Sequence, residues 1–119
     1  MYSIYLKQDQ AIMENKKRMA FRMHLKPGFK EEYKKRHAAL WPEMKAILKE
    51  QGVSNYSIFL DEETGYLFGY QEVVGDAGSQ DLGDRPIVQK WWDYMADIMD
   101  VNPDNSPVSI PMEQMFFLE

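Results

Sequence analysis

The sequence predicts an α+β domain with the element order βαββαβ, which is the ferredoxin-like arrangement. Residues 19–25 ("MAFRMHL") alternate apolar and other side chains, as a strand with one buried face does. Two runs rich in aromatic and β-branched residues, 53–61 and 66–74, are joined by the short polar link "EETG". Two segments of helical periodicity and the final run "MEQMFFLE" complete the order. Both helices then cover one sheet face, so we expect a homodimer in which a second chain covers the other face.

Length and composition are those of an ordinary globular protein with one domain. The chain has 119 residues, of which 45% are hydrophobic and 28% are charged. We expect residues 1–17, which show no clean period, to be an N-terminal extension, and residues 18–119 to form the domain. No run reaches the roughly 18 apolar residues of a membrane span, and the first residues lack the apolar centre of a secretory signal. We therefore expect a cytoplasmic protein without membrane contacts.

The polar inventory excludes several kinds of chemistry. The chain has no cysteine, which removes disulfides, thiolate nucleophiles and thiolate metal sites. It has two histidines, His24 and His37, and no HExxH or similar pair, so we expect no metal. The formal net charge is −5, and the basic residues are scattered apart from the triplets at 16–18 and 34–36. Phosphate binding draws on a basic face, so nucleic acid is not an expected partner.

The first strand and helix follow from local patterns. His24 should lie on the opposite side of the strand from Phe21, and we interpret it as a half-exposed residue without a function. The turn "KPGF" precedes a helix, which Pro42 should kink or break, because proline lacks the N–H and disfavours helical geometry at the preceding residue. The apolar rhythm then resumes and ends at Gly52, a residue suited to a left-handed C-cap.

The hairpin strand at 53–61 should have two distinct faces. Alternation places Tyr56, Ile58 and Leu60 together on one face. The other face should carry Val53, Asn55, Ser57 and Phe59.

The second helix should begin near Pro86, with Asp84 as its N-cap, and continue through "IVQKWWDYMADIM" to residue 99. Trp91 and Trp92 lie about 100° apart on it. One indole is therefore expected in the core, while the other reaches a cavity or partner. Residues 101–111 hold three prolines and should form a long loop of the kind that often carries function.

The segment "EEYKKRHAALWPE" places Tyr33, His37 and Trp41 four residues apart on one helical face, while the "KKR" triplet at 34–36 should turn away. Within this apolar stripe His37 has four interpretations. It is a core histidine bonded to a tyrosine, a general acid or base in an aromatic pocket, a metal ligand, or a nucleophile.

The aromatic content indicates a kind of ligand. Three tryptophans and seven tyrosines supply flat apolar surface with hydrogen-bond donors at its edge. A pyranose has a C–H face that stacks on an indole and hydroxyl groups that tyrosines bind. A sugar pocket therefore competes with plain core packing as the explanation of these residues.

Four segments resemble the L-rhamnose mutarotase family in their order and separation: "EEYKKRHAALWPEM", "NYSIFLD", "QKWWDYMADIM" and "NPDNSPVS". They span most of residues 20–119. The resemblance implies a dimeric α/β barrel built from ferredoxin-like chains, with a sugar pocket in each subunit and no cofactor. It implies that His37 is the proton donor and that the sugar is held by Tyr33, Tyr56, Trp91 and Trp92.

The chain departs from the family pattern in three places. Residues 1–18 lie outside the usual family length, and Ala38 and Ala39 stand where members often have Asn and Pro. The stretch "GDAGSQDLGDRP", residues 75–86, replaces a more helical segment that contains tryptophan. This stretch bears on the identity of the sugar, so L-fucose is an alternative substrate.

The implied reaction exchanges the α and β anomers of a 6-deoxyhexose through the open-chain aldehyde. It needs a proton on the ring oxygen, which His37 would donate, and a base for the anomeric hydroxyl, for which a tyrosine, a carboxylate or water are the candidates. Two other classes remain open. One is a non-catalytic sugar-binding module with the same pocket, and the other is a cofactor-free monooxygenase-like enzyme on the same dimeric barrel.

Overall fold

The structure is a computed structural model that describes residues 16–119. Four strands form one sheet: β1 (Lys16–His24), β2 (Val53–Leu60), β3 (Tyr66–Val74) and β4 (Ile110–Met112). Three helices accompany them: α1 (Lys30–Ala38), α2 (Pro42–Glu50) and α3 (Pro86–Met95), with a short 3-10 helix at Ser79–Asp81. Of the predicted extension 1–17, residues 16 and 17 belong to β1 and the rest lies outside the described residues. None of the helices in residues 16–119 is long and apolar enough to cross a membrane.

The sheet topology confirms the ferredoxin-like prediction. The strand order is β2-β3-β1-β4, and each neighbouring pair is antiparallel. Every second residue of β3 from Leu67 to Val73 is buried against the helices. Gly69 lies in this row, and a Cβ there would come within 2.5 Å of the ring of Phe21 on β1. The glycine thus gives Phe21 the space to pack across the strand pair.

The predicted faces of β2 are correct except at Val53. Val53 is buried and pairs with Val73, so it lies on the helix side together with Ile58 and Leu60. The pairing register shifts between residues 54 and 57, and Asn55 has a positive φ of 48°. A β-bulge inserts one extra residue into a strand, so the simple alternation fails on one side of it.

The expected break in the first helix is confirmed. α1 ends at Ala38, and Pro42 occupies the first turn of α2, where its missing N–H has no intrahelical acceptor. Gly52 follows α2 with a φ of 84°, as expected of a left-handed cap. Because the helix stops, Trp41 does not continue the face of Tyr33. Its backbone is extended, and its indole stacks on Tyr94 with ring centres 5.4 Å apart.

Helix α3, which corresponds to the second predicted helix, is shorter than predicted, and its N-cap is Arg85 rather than Asp84. It ends at Met95, because the backbone that follows bonds to the end of β1. The Lys26 N–H donates to the carbonyl of Ile98 over 2.9 Å, and the Asp100 N–H donates to the carbonyl of His24 over 3.0 Å. These long-range bonds compete with continuation of the helix.

The last strand was wrongly placed at residues 112–119. β4 covers Ile110–Met112 and pairs with β1 only at Ala20–Arg22. Its position at the sheet edge tolerates Pro111. Residues 115–118 are apolar but exposed. They have the composition of a strand, yet they pair with no other strand among residues 16–119.

Candidate functional site

A cavity of ≈ 680 Å³ lies between the helix-covered face of the sheet and the helices. Its walls come from the three helices, the strands β1 and β2, the 3-10 helix and parts of the connecting segments. The predicted site residues all line it, and they are Tyr33, His37, Tyr56, Trp91 and Trp92. Segments that are up to 59 positions apart in the sequence thus meet at one place.

His37 lies on α1, one turn after Tyr33, and is held by three contacts. Its Nδ1 is 3.1 Å from the carbonyl oxygen of Tyr33. Its ring stacks on the ring of Tyr33 with centres 4.2 Å apart, and it meets the indole of Trp91 edge-on at 5.4 Å. A carbonyl only accepts hydrogen bonds, so Nδ1 carries a hydrogen. Nε2 is therefore the ring nitrogen left to exchange a proton with a ligand.

Burial lowers the pKa of His37 from its ordinary value, because the charged imidazolium loses contact with water. The bond to the Tyr33 carbonyl acts in the opposite direction but is the smaller influence. A lowered pKa makes the imidazolium a stronger acid, and it makes neutral imidazole the main form near pH 7.

The two tyrosines of the site are protonated hydrogen-bond donors at physiological pH. Burial raises the pKa of Tyr33 well above its ordinary range. Burial also raises the pKa of Tyr56. Hydrogen bonds with the side chains of Ser79 and Gln80 act in the opposite direction but are the smaller influence. Because ionisation is so unfavourable, neither phenol is suited to act as a base without help.

The two adjacent tryptophans do not divide as predicted. Trp91 and Trp92 are 6% and 5% exposed, and both line the cavity. Trp91 also meets Trp41 edge-on at 5.0 Å, which places Trp41 behind the cavity wall. Trp92 packs against Gly83, where a Cβ would approach its ring to 2.7 Å. Each indole thus belongs to the core and to the cavity at once.

The "KKR" triplet does not turn away as a unit. Lys34 lines the cavity at its exposed side. The side chain of Arg36 is only 9% exposed, and its Nη1 is 2.8 Å from Asp97 Oδ1. Its guanidinium also covers the ring of Tyr94 at 4.4 Å. Arg36 therefore fastens α1 to the segment after α3.

Two polar residues of the cavity wall, Ser79 and Gln80, were missed at the level of sequence. They belong to the 75–86 stretch, whose glycines and aspartates are typical of a loop. In the sequence, the departure of this stretch from the family pattern was the feature that could have pointed to these two residues.

His24 lies outside this cavity, as expected. Its Nδ1 is 2.9 Å from Asp100 Oδ2, and its Nε2 is 3.1 Å from the carbonyl oxygen of Thr64. Within residues 16–119 no group of three or more His, Cys, Asp or Glu side chains is placed to hold a metal ion.

Comparisons with known proteins agree with the resemblance. A family model described as L-rhamnose mutarotase matches residues 18–118. The chain is 64% identical over 103 residues to an L-rhamnose mutarotase of Bacteroides thetaiotaomicron, covering 87% of this chain and 99% of the relative. A crystal structure of L-rhamnose mutarotase from Formosa agariphila superposes with a TM-score of 0.80 at 59% identity, covering 87% of this chain and 99% of that one. The predicted family is confirmed, and the chain belongs to the L-rhamnose mutarotase family.

Proposed function

We propose that this protein is an isomerase that interconverts the α and β anomers of L-rhamnose. The observation that carries the proposal is the position of His37, whose one available ring nitrogen lies in a cavity walled by indoles and phenols. Family relatives with 50–64% identity bear the name of this activity.

The reaction needs two proton transfers. Opening of the pyranose places a proton on the ring oxygen and removes one from the anomeric hydroxyl, and closure on the other face of the aldehyde reverses both. Protonated His37 donates to the ring oxygen through Nε2, and its lowered pKa favours release of the proton. The same nitrogen recovers the proton when the ring closes.

The second transfer goes to water in this proposal. No Asp or Glu is among the residues of 16–119 that line the cavity, which favours water over a carboxylate as the acceptor of this proton. The raised pKa values of Tyr33 and Tyr56 disfavour a phenolate. These phenols instead donate hydrogen bonds to the sugar, while Trp91 and Trp92 offer apolar faces for its C–H groups.

The same walls support a preference for a 6-deoxy sugar. The C6 methyl group gains by burial against aromatic surface, whereas a 6-hydroxyl needs a hydrogen-bond partner. Burial of a hydroxyl without one costs about 1–3 kcal/mol, or about 5- to 160-fold in affinity. L-Rhamnose and L-fucose should therefore be accepted before glucose or galactose.

Saturation-transfer NMR on these four sugars tests the proposal. We expect the purified protein to accelerate anomer exchange of L-rhamnose most. A sugar-binding module would shift resonances without faster exchange, and an oxygenase would require oxygen and consume the substrate. Equal acceleration of glucose would contradict the 6-deoxy pocket, and faster exchange of L-fucose would reassign the substrate.

We also propose that the chain forms a homodimer in which two sheets face each other and close an α/β barrel. Phe59 and Phe68 pair on the sheet face away from the helices, and Phe59 is 67% exposed. Residues 115–118 add further exposed apolar surface, and the ring of Phe117 lies 3.4 Å from the guanidinium carbon of Arg18. Monomeric proteins rarely leave such a patch uncovered. Light scattering after gel filtration should give twice the 14.0 kDa of one chain.

The domain boundary and location complete the proposal. The match of the family model to residues 18–118 supports a mutarotase domain at 18–119. A cytoplasmic location, and the absence of nucleic acid and membrane partners, remain predictions from the sequence.

A further inference from the structure

Arg36 is the residue directly before His37 on α1, and its guanidinium donates four hydrogen bonds. Nε donates to Glu32 Oε1 on the same helix over 3.0 Å. Nη1 donates to the carbonyl oxygen of Tyr94 over 2.7 Å and to Asp97 Oδ1 over 2.8 Å, and Nη2 donates to Asp97 Oδ2 over 3.2 Å. The pair with Asp97 is thus bidentate, and in this geometry an arginine fixes orientation as well as distance.

These bonds join the two helices that meet at the proton-exchanging histidine. His37 on α1 and Trp91 on α3 lie edge-on in the cavity wall, with ring centres 5.4 Å apart. Tyr94 belongs to α3, and Asp97 lies two residues beyond the end of this helix. Arg36 does not line the cavity, so it holds α1 to α3 from outside the site.

Other contacts of α1 determine its rotation only weakly. The helix has nine residues, no side-chain hydrogen bond at its N-cap and one buried residue, Tyr33. The stacking of His37 on Tyr33 lies within the helix and moves with it. Apolar packing against α3 is not directional. Within residues 16–119, every hydrogen bond between α1 and residues 86–100 comes from Arg36, which makes this side chain the directional link between the two helices.

We propose that Arg36 is a positioning residue for the proton transfer, which acts through His37 by fixing the rotation of α1 so that Nε2 faces the ring oxygen of the bound sugar. Asp97 and the Tyr94 carbonyl are the fixed points of the link. The inference rests on the proposed function, because it concerns the acid of that reaction. A proton donor must lie within about 2.6–3.2 Å of its acceptor, so a small rotation of the helix removes its assistance while the aromatic walls still hold the sugar.

The test uses two variants that break the link at its two ends. Arg36→Met keeps the apolar stem that covers Tyr94, and Asp97→Ala changes a side chain that is 64% exposed, so neither opens a cavity in the core. Lys30→Met is the matched control. Lys30 also lies on α1 and forms an ion pair with a distant segment, at Glu62, but at the opposite end of the helix from His37.

Kinetics of L-rhamnose anomer exchange give the first readout, with rates referred to the folded fraction measured by circular dichroism. We expect kcat to fall roughly 10- to 100-fold in Arg36→Met and in Asp97→Ala, with KM close to wild type, because the proton donor is displaced and the sugar contacts are kept. Lys30→Met should keep both constants. A wild-type kcat in folded Arg36→Met would overturn the proposal.

Combined and conservative variants test whether the two residues act as one link. The double variant of Arg36→Met and Asp97→Ala should lose no more than the single variants, and additive losses would overturn the proposal. Arg36→Lys keeps the charge but not the bidentate fork, so it should recover only part of kcat. Full recovery would overturn the role of orientation.

The position of His37 has a spectroscopic readout of its own. The chain has two histidines, so tag-free protein gives two Cε1-proton resonances in NMR. Ring currents of Tyr33 and Trp91 displace the resonance of His37. It should move in the same direction in Arg36→Met and Asp97→Ala, because both release the helix although they remove opposite charges. An unmoved resonance, or shifts in opposite directions, would overturn the proposal.

Failure of the proposed function is distinguished in the wild type. A wild type that does not accelerate anomer exchange of L-rhamnose would overturn the reaction and the catalytic purpose of the link. The resonance of His37 would then still decide whether Arg36 sets the position of this ring. Normal exchange in the wild type, together with an unchanged kcat in Arg36→Met, would overturn the inference about Arg36 alone.

Discussion

Replacement of His37 by asparagine is the most direct test of the chemistry, because it removes the proton-exchanging nitrogen and leaves a polar side chain. General acid assistance typically contributes about 10²- to 10⁴-fold, so catalysed anomer exchange should fall by that factor. The stability cost should be modest. The variant loses the ring contacts to Tyr33 and Trp91, each worth about 0.5–1.5 kcal/mol, and the Tyr33 carbonyl keeps its helical hydrogen bond.

His24→Asn is the matched control, because His24 is the other histidine of the chain and lies outside the cavity. It loses its contacts with Asp100 and Thr64 but should exchange anomers at the wild-type rate. Saturation-transfer NMR gives the exchange rate of each variant, and thermal unfolding gives its stability. A folded His37→Asn variant with near-normal exchange would show that another group donates the proton.

Further predictions test the surroundings of His37. Burial lowers the pKa of His37 from 6.5, so kcat/KM should decline as pH rises, with a midpoint below 6.5. An increase of kcat/KM through this midpoint would instead make His37 a base. Trp91→Phe should weaken L-rhamnose binding in a titration while keeping the fold, and unchanged affinity would assign this indole to the core alone. Gly69→Ala should lower the free energy of unfolding by about 1–3 kcal/mol in urea denaturation, because its Cβ meets the Phe21 ring. Deletion of residues 1–15 should preserve activity, since the family model matches only residues 18–118; an inactive truncation would give the extension a structural role.

The parts of the fold that were predicted correctly depend on short-range patterns. Alternation along β1 and β3 indicates which face of each strand is buried. A proline interrupts a helix whatever its surroundings, as Pro42 does here. Tyr33 and His37 meet because helical geometry brings residues four apart together. None of these features needs knowledge of a distant partner.

The errors share the opposite property. Val53 faces the helices because a bulge at Asn55 changes the register, and alternation alone does not reveal a bulge. Helix α3 stops early because the backbone near Ile98 bonds to β1, which is more than 70 positions away in the sequence. Trp41 leaves the cavity because the helix ends before it, a boundary that periodicity places only within a few residues.

The candidate site depends both on short-range patterns and on contacts between distant parts of the chain. The sequence predicted the part that depends on short-range patterns. The proposed acid lies on one helix, so a spacing of four residues placed His37 beside Tyr33, and the family resemblance then supplied its proposed role. The polar part of the cavity wall comes from Ser79 and Gln80, in a stretch of loop-like composition, and Ser79 is held in place by Gln71 on β3. Substitutions in this stretch should leave the position of His37 on α1 unchanged and should alter the polar part of the cavity wall. We therefore expect the choice of sugar to depend on residues 75–86 more than on helix α1.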